Sequence, residues 1–225
     1  MRSTAPIVGA VRHTAVPEAW TELLAALKTD GVDVTLCEPG SARRGRTDFG
    51  LLVTDAARTR EVLTEPIAQE IGWQVTQSVP GPRELTPGRA TTDVSVLPLW
   101  MTPRVDAAAE ILTRLGLRPR LRADSGEWAD FSGTQGLAAV HRDESPDVVL
   151  AFEAVDLDRL AERMHRADLR ADIVDQNYGR SLRIDDPDGG EDIMVNESMR
   201  DLYGYQRVHR ERRPHDRSTK GPRQA

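Results

Sequence analysis

The spacing of apolar residues along the 225-residue chain changes period several times, and the changes mark out its elements. The segment PIVGAVRH, ending at His13, has the apolar content of a strand. PEAWTELLAALKTDG places its apolar residues at helical spacing, with Pro17 in the first turn and Gly31 past the end, and VDVTLCEP is strand-like again. A basic loop, GSARRGRT, leads to a strand at DFGLLVTD. A helix at AARTREVLTEPIAQEIG follows, interrupted or kinked at Pro66, and then a strand-like WQVTQ. Strand and helix alternate, which predicts a small α/β module over residues 1–76. The stretch 77–92, QSVPGPRELTPGRATT, sets three prolines and two glycines among polar residues and reads as a linker.

Beyond the linker one pattern is used twice. The first copy has a strand at DVSVLPLW, a helix at RVDAAAEILTRLG and strands at RPRLRA, EWADFS and QGLAAVHR. The second has a strand at DVVLAFEAV, a helix at DLDRLAERMHRAD and strands at ADIVDQ, GRSLRIDD and EDIMVNE. Apolar residues fall at helical spacing in both helices: Ala108, Ile111, Leu112 and Leu115 in one, Leu157, Leu160 and Met164 in the other. Residues 93–197 are therefore predicted to be an α+β domain of paired βαβββ modules, preceded by the small α/β module. Each helix covers one face of its sheet; the other face needs a second module or a second subunit and encloses a cleft.

Charge divides along the same boundaries. Residues 1–92 carry 10 basic and 11 acidic side chains, residues 93–197 carry 12 and 22, and residues 198–225 carry 8 and 3. The acidic middle segment disfavours nucleic acid as a partner and favours a cationic ligand. The tail, 198–225, is basic, has almost nothing apolar after Tyr205, and is predicted to be disordered. A single cysteine, Cys37, excludes an internal disulfide and any CxxC zinc site and suits a reducing compartment. No apolar run approaches the ~20 residues that span a bilayer, and the N-terminus lacks the apolar core of a signal peptide, so the expected location is cytoplasmic, away from membranes. No GxGxxG or Walker loop is present, and the N-terminal module shows no legible chemistry.

Residues 178–190, YGRSLRIDDPDGG, resemble the aromatic-Gly-Arg, five-residue strand and Asp-Pro-x-Gly turn of the glyoxalase, bleomycin-resistance and extradiol-dioxygenase superfamily, also called vicinal oxygen chelate proteins. RVDAAAEILTRLGL is similar to that family's first helix with its Leu-Gly stop, and LAFEAVDLDRLAERM to the second module's opening strand and helix. The resemblance covers 93–197. It implies the vicinal oxygen chelate fold and either of two branches, one with a divalent metal ion and one without.

In the metal-bearing branch His, Gln or Glu side chains on the opening and closing strands of the two modules hold the ion, a Lewis acid for vicinal oxygens. Here the first opening strand offers Val94 to Leu99, the second has Val149 where His often stands, and the last has Ile193 where Glu is usual. Glu191, Asp192 and Glu197 are out of register, and a one-residue slip turns a side chain to the opposite face. His141 and Glu197 are the weak metal candidates, and the reading is that no metal and no other cofactor is bound.

The metal-free branch sequesters a small molecule in a cleft of aromatics and carboxylates. The candidates for such a cleft are Trp100, Trp128, Phe131 and Tyr178, with Asp130, Glu153 and Asp175 as its acids and Arg180 as an anchor for an anionic ligand group. Each has a structural alternative: Trp100 as core, Trp128 and Phe131 on opposite faces of one strand, Glu153 facing solvent, Tyr178 and Arg180 bracing the strand. Nucleophilic chemistry finds no support in chain order. Cys37 has no His nearby, His13 and His165 show no pairing, and Asp185 and Asp186 read as turn residues. The leading expectation is a metal-independent small-molecule binding protein. Its alternatives are a lyase, isomerase or dioxygenase with an atypical metal set, and a ligand-sensing regulator whose basic 43–46 loop engages a partner. The resemblance also implies a homodimer, unless the N-terminal module supplies the cover that a second subunit would give.

Overall fold

The structure, a computed structural model, describes residues 5–27, 34–53, 55–70, 73 and 93–208. The N-terminal unit contains β1 (Ile7–His13), α1 (Pro17–Leu27), β2 (Val34–Cys37), β3 (Thr47–Leu52), α2 (Ala56–Leu63) and α3 (Pro66–Glu70). Pro66 opens a new helix rather than continuing the old one, as its missing N–H requires. Asp55 starts α2 by accepting the Arg58 N–H at 2.9 Å. The sheet runs β2-β1-β3, with β1 parallel to β2 and antiparallel to β3. The linker and residues 74–77 of the predicted WQVTQ strand lie outside the described residues.

The repeated region contains β4 (Val94–Val96), β5 (Leu99–Thr102), α4 (Val105–Arg114), β6 (Arg118–Ala123), β7 (Trp128–Ser132) and β8 (Leu137–Arg142). It continues with β9 (Asp147–Val149), β10 (Ala151–Ala154), α5 (Leu157–Arg166), β11 (Ala171–Gln176), β12 (Gly179–Ile184) and β13 (Ile193–Glu197). Two βαβββ modules result, β5-α4-β6-β7-β8 and β10-α5-β11-β12-β13. The sheets are ordered β14-β6-β7-β8-β5-β9 and β11-β12-β13-β10-β4, where β14 is Tyr205–Arg207.

Each opening segment predicted as one strand is two. Pro98, which has no N–H to give a ladder, separates β4 from β5, and Leu150 separates β9 from β10. The two segments run antiparallel in one unbroken register: Val94 opposite Ala154, Val96 opposite Phe152, the Leu97 N–H donating to the Ala151 carbonyl at 2.8 Å, then Leu99 opposite Val149 and Met101 opposite Asp147. One half of this ribbon belongs to each sheet. Each module thus lends its first three residues to the edge of the other module's sheet.

The N-terminal unit shares both main cores with the modules. Trp20, Leu23 and Leu27 of α1 pack with Phe152, Leu157, Leu160 and Met164, while Val8, Val62 and Leu63 pack with Trp100, Ile111, Leu112, Phe131 and Val140. Fully burying such a side chain contributes about 1.5–3 kcal/mol, so apolar contact supplies most of the adhesion. Orientation is set by a buried ion cluster. Arg12 donates through Nε to Asp188 Oδ2 at 2.9 Å and through Nη2 to Asp186 Oδ2 at 2.5 Å, and its guanidinium lies 4.7 Å over the Trp20 ring. Thr14 Oγ1 and Trp20 Nε1 also donate to Asp188, at 2.8 and 3.0 Å. Both carboxylates belong to the Asp-Pro-Asp-Gly turn, read from sequence as a strand reversal alone.

Residues 198–208 depart from the predicted disordered tail. Tyr205–Arg207 pairs antiparallel with β6, Tyr205 opposite Ala123 and Arg207 opposite Leu121. Edge pairing satisfies backbone groups without burying side chains, so apolar content gave no sign of it. The rest of the tail, 209–225, lies outside the described residues. Among the described residues no helix is long and apolar enough to cross a membrane.

Removing one partner from a buried ion cluster strands the others. Asp188→Ala is expected to cost about 3–5 kcal/mol in urea unfolding at pH 7, and Asp188→Asn, which keeps an acceptor, less. Burial alone would raise the Asp188 pKa, but the hydrogen bonds from Thr14, Arg12 and Trp20 outweigh it and hold the carboxyl below its ordinary range. Its contribution is therefore complete above the ordinary Asp range and lost as pH falls through the folded value, so the variants should approach the parent in strong acid.

Candidate functional site

Strand alternation decides what faces the helices and what faces the space between the modules. Phe131 and Ala129 of β7, Val140 and Ala138 of β8, and Phe152 and Ala154 of β10 lie in the helix-side cores. Trp128, Asp130, His141 and Glu153 therefore stand on the inner face. The centre of this face is built by a bulge. Pro119 lies opposite Phe131 and Leu121 opposite Asp130, which leaves Arg120 as an extra residue in β6. The Leu121 N–H donates to Asp130 Oδ1 at 2.9 Å in place of a ladder carbonyl.

Arg120 reaches across the cleft from one module to the other. Its Nη2 donates to both Glu153 oxygens at 2.9 and 3.1 Å, and its Nε lies 3.7 Å from Asp130 Oδ1. Burial opposes the charge on Arg120, but the two carboxylates outweigh it and raise its pKa. Asp130, 3% exposed, has its pKa pushed up to about 6, chiefly by burial, with Arg120 and the Leu121 N–H pulling the other way. Ser198 Oγ donates to Glu153 Oε1 at 3.1 Å, and the Val208 N–H donates to the Arg120 carbonyl at 2.9 Å. The chain after β13 thus passes from one module to the other over the ion cluster. The resulting cavity, about 450 Å³, is lined by Pro119, Arg120, Leu121, Glu153, Ser198, Met199, Arg207 and Val208. A hollow of similar size lies between α4 and the helix side of β6 and β7, lined in part by Asp106 and Phe131, and shares Pro119, Leu121 and Val208 with this cavity.

Of the residues expected at a binding site, Asp130 and Glu153 are brought together and Trp128 shares their face. The Trp128 and His141 rings meet edge to face at 5.9 Å, and Trp128 Nε1 and His141 Nδ1 are buried without a partner among the described residues. Trp100 and Phe131 lie in the helix-side core, where Trp100 meets Trp73 edge to face at 5.8 Å. Arg180 and Glu197 face the helix side and pair with each other at 2.8 Å, and Arg180 also binds Asp158 on α5 at 3.1 Å. That pairing, first of all with Arg180, holds the Glu197 carboxyl below its ordinary range. Asp175 is opposite Arg180 in register, and Tyr178 is 45% exposed at the β11–β12 turn. Chain order missed Arg120 and Ser198; Pro119 inside a strand was the one local sign of a bulge that turns its neighbour inward.

The inner positions of the opening and closing strands include Met101 beside His141 and Glu153 beside Asn196. A thioether, an amide and a carboxylate already held by Arg120 leave one imidazole, so this set does not fit the divalent ion of the metal-bearing branch. Among the described residues no group of three His, Cys, Asp or Glu side chains is placed to hold a metal. His141 and Glu197, the two metal candidates, lie on opposite faces.

No protein-family model matches the sequence, and no curated protein matches it either. Solved structures do. The 2,3-dioxygenase LapB from Pseudomonas sp. KL28 is similar over 93% of this chain and 96% of its own, at 12% identity and a TM-score of 0.52. A catechol 2,3-dioxygenase aligns over 92% of this chain and 96% of its own at 12% identity and a TM-score of 0.49. A glyoxalase/bleomycin resistance protein/dioxygenase superfamily member from Vibrio splendidus 12B01 aligns over 47% of this chain and 99% of its own, at 13% identity and a TM-score of 0.34. Identities this low speak for fold and not for chemistry. With its two βαβββ modules and its likeness to the first of these dioxygenases over nearly the whole of both chains, the chain has a fold of the vicinal oxygen chelate type.

Proposed function

We propose that this protein binds a small molecule, for sequestration or sensing, in the cleft between its two modules, without a metal ion. The observation that carries the reading is the Arg120–Glu153 ion pair. It spans the cleft from the bulge of one module to the opening strand of the other, and it lies in a cavity large enough for a small organic molecule. Both carboxylates of the cleft come from the acidic 93–197 segment, whose field draws cations. A cationic ligand group would compete with Arg120 for Glu153 and leave Arg120 to Asp130. The apolar walls of Pro119, Leu121, Met199 and Val208 suit the body of such a ligand. A homodimer, expected from the sequence, is an addition to this cleft rather than a requirement, because both modules come from one chain.

Metal content and thermal shift test the reading together. The dialysed full chain is expected to carry well under one Ni, Zn, Fe or Mn per molecule, and a stoichiometric ion lost on His141→Ala would overturn the proposal. A cationic glycopeptide at about 100 times its dissociation constant should add ~2.7 kcal/mol of stability. Glu153→Gln should abolish that gain, and no gain for the parent protein across such compounds would count against sequestration.

The raised pKa of Asp130 generates a second prediction. Between the ordinary Asp range and about 6 the folded protein holds a proton that the unfolded chain has released. Stability therefore falls as pH rises through that window, by roughly 3 kcal/mol at most. Asp130→Asn should lack this component. Urea midpoints at pH 4.5 and 7 measure it as the difference between parent and variant.

A further inference from the structure

The N-terminal sheet brings together three side chains that chain order keeps apart. β1 and β2 run parallel with His13 opposite Cys37, so the two side chains stand on one face, with their strands about 4.8 Å apart. On the other side of β1, Asp48 lies opposite Val11, two residues before His13 and on that same face. His13 Nε2 is 2.8 Å from Asp48 Oδ2. An ionised carboxylate only accepts hydrogen bonds, so Nε2 is the donor and Nδ1 holds the ring's remaining capacity. That nitrogen is buried without a partner among the described residues, on a residue only 8% exposed.

A buried polar atom left unpaired is costly, so a group that can pair with it is expected on this face. The strand register sets the half-buried thiol of Cys37, the chain's single cysteine, on the same face of the sheet as this ring. No hydrogen bond joins them at rest, and such contacts are often loose before substrate arrives. Whichever of the two holds the proton, sulfur and nitrogen are complementary. Cysteine, imidazole and an orienting carboxylate form the arrangement that activates a sulfur nucleophile.

The loop after β2 carries a net positive charge, with Arg43, Arg44 and Arg46 against Glu38. The loop after β2 is fastened to His13, whose carbonyl accepts the Gly45 N–H at 2.9 Å and whose N–H donates to the Arg46 carbonyl at 3.0 Å. Arg43 Nη1 and Arg46 Nε lie 3.2 and 3.4 Å from Asp48, with both side chains more than half exposed, and Arg44 between them is exposed too. We propose that Cys37, His13 and Asp48 form a reactive-thiol site for small anionic electrophiles, a site separate from the cleft. The Cys37 thiol gives its proton to His13 Nδ1. The sulfur electron pair then bonds to the electrophilic carbon while that carbon's bond to its leaving group breaks and the leaving group departs with its pair. Asp48 holds the ring, and the arginines draw the anion.

Alkylation of the full chain by iodoacetate and by iodoacetamide, followed by mass spectrometry at pH 7, tests the site, because only one thiol can react and iodide leaves in both cases. Native protein is expected to react with iodoacetate about tenfold faster than the urea-unfolded chain. His13→Gln should lose that advantage and Asp48→Asn most of it. Replacing Arg43 and Arg44 together by Ala should slow iodoacetate and leave iodoacetamide unchanged. Asp48 is partly exposed, so its variant reports on the array even where His13→Gln disturbs the sheet. A native rate no greater than the unfolded one, or an Asp48→Asn variant as fast as the parent, would overturn the proposal.

Discussion

The antiparallel ribbon of residues 93–102 with 147–155 is the constraint on which the rest of the fold depends. Its register is continuous, yet its halves serve different sheets, so the relative placement of the two modules is fixed by backbone hydrogen bonds rather than by side-chain packing alone. Everything on the inner face inherits its geometry from this joint. Arg120 meets Glu153 because the ribbon turns β6 of one module toward β10 of the other. The helix-side cores, in turn, take their composition from the alternation that the ribbon begins, with Val94, Val96, Trp100 and Phe152 all turned away from the cleft.

Two arginines, Arg12 buried and Arg120 half-buried, divide the work of joining parts. Arg12 fixes the N-terminal unit against the Asp-Pro-Asp-Gly turn, with five donors in a planar fork shared among Asp186, Asp188 and Thr47. Arg120 does the equivalent across the cleft, with a difference that matters for function. Its carboxylates differ in environment: Asp130 is sealed in a bulge and titrates near 6, while Glu153 lines the cavity. The first cluster is a lock. The second is open to exchange with a ligand.

Most elements of the repeated region were legible in the sequence, and RPRLRA and ADIVDQ became β6 and β11 over the same residues. Periodicity reports the face a residue takes within one strand, and it placed Trp128 and Phe131 on opposite faces as one of its alternatives. It does not report pairing between strands. The division of each opening segment between two sheets, the reach of Arg120 to a residue 33 positions away, and the meeting of His13 with Cys37 and Asp48 are all matters of register, set by partners distant in the chain. For the same reason Trp100, Arg180 and Glu197, chosen by residue type and motif, stand on the helix side, while Asp130 and Glu153, chosen by residue type alone, stand on the inner face. The docking of the N-terminal unit was invisible because Arg12 and Asp188 carry no local signal of each other.

The short strand β14 has one further consequence. Without it, β6 would end the six-stranded sheet with a row of unpaired backbone groups, a template for any extended chain. In its place the sheet ends in three residues, Tyr205, Gln206 and Arg207, followed by a polar, charged segment, and Gln206 is tied back to Asp124 at 2.6 Å. A short, polar, charged terminal strand is a poor partner for further pairing. Part of the segment that composition marks as a disordered tail therefore covers the open edge of the sheet.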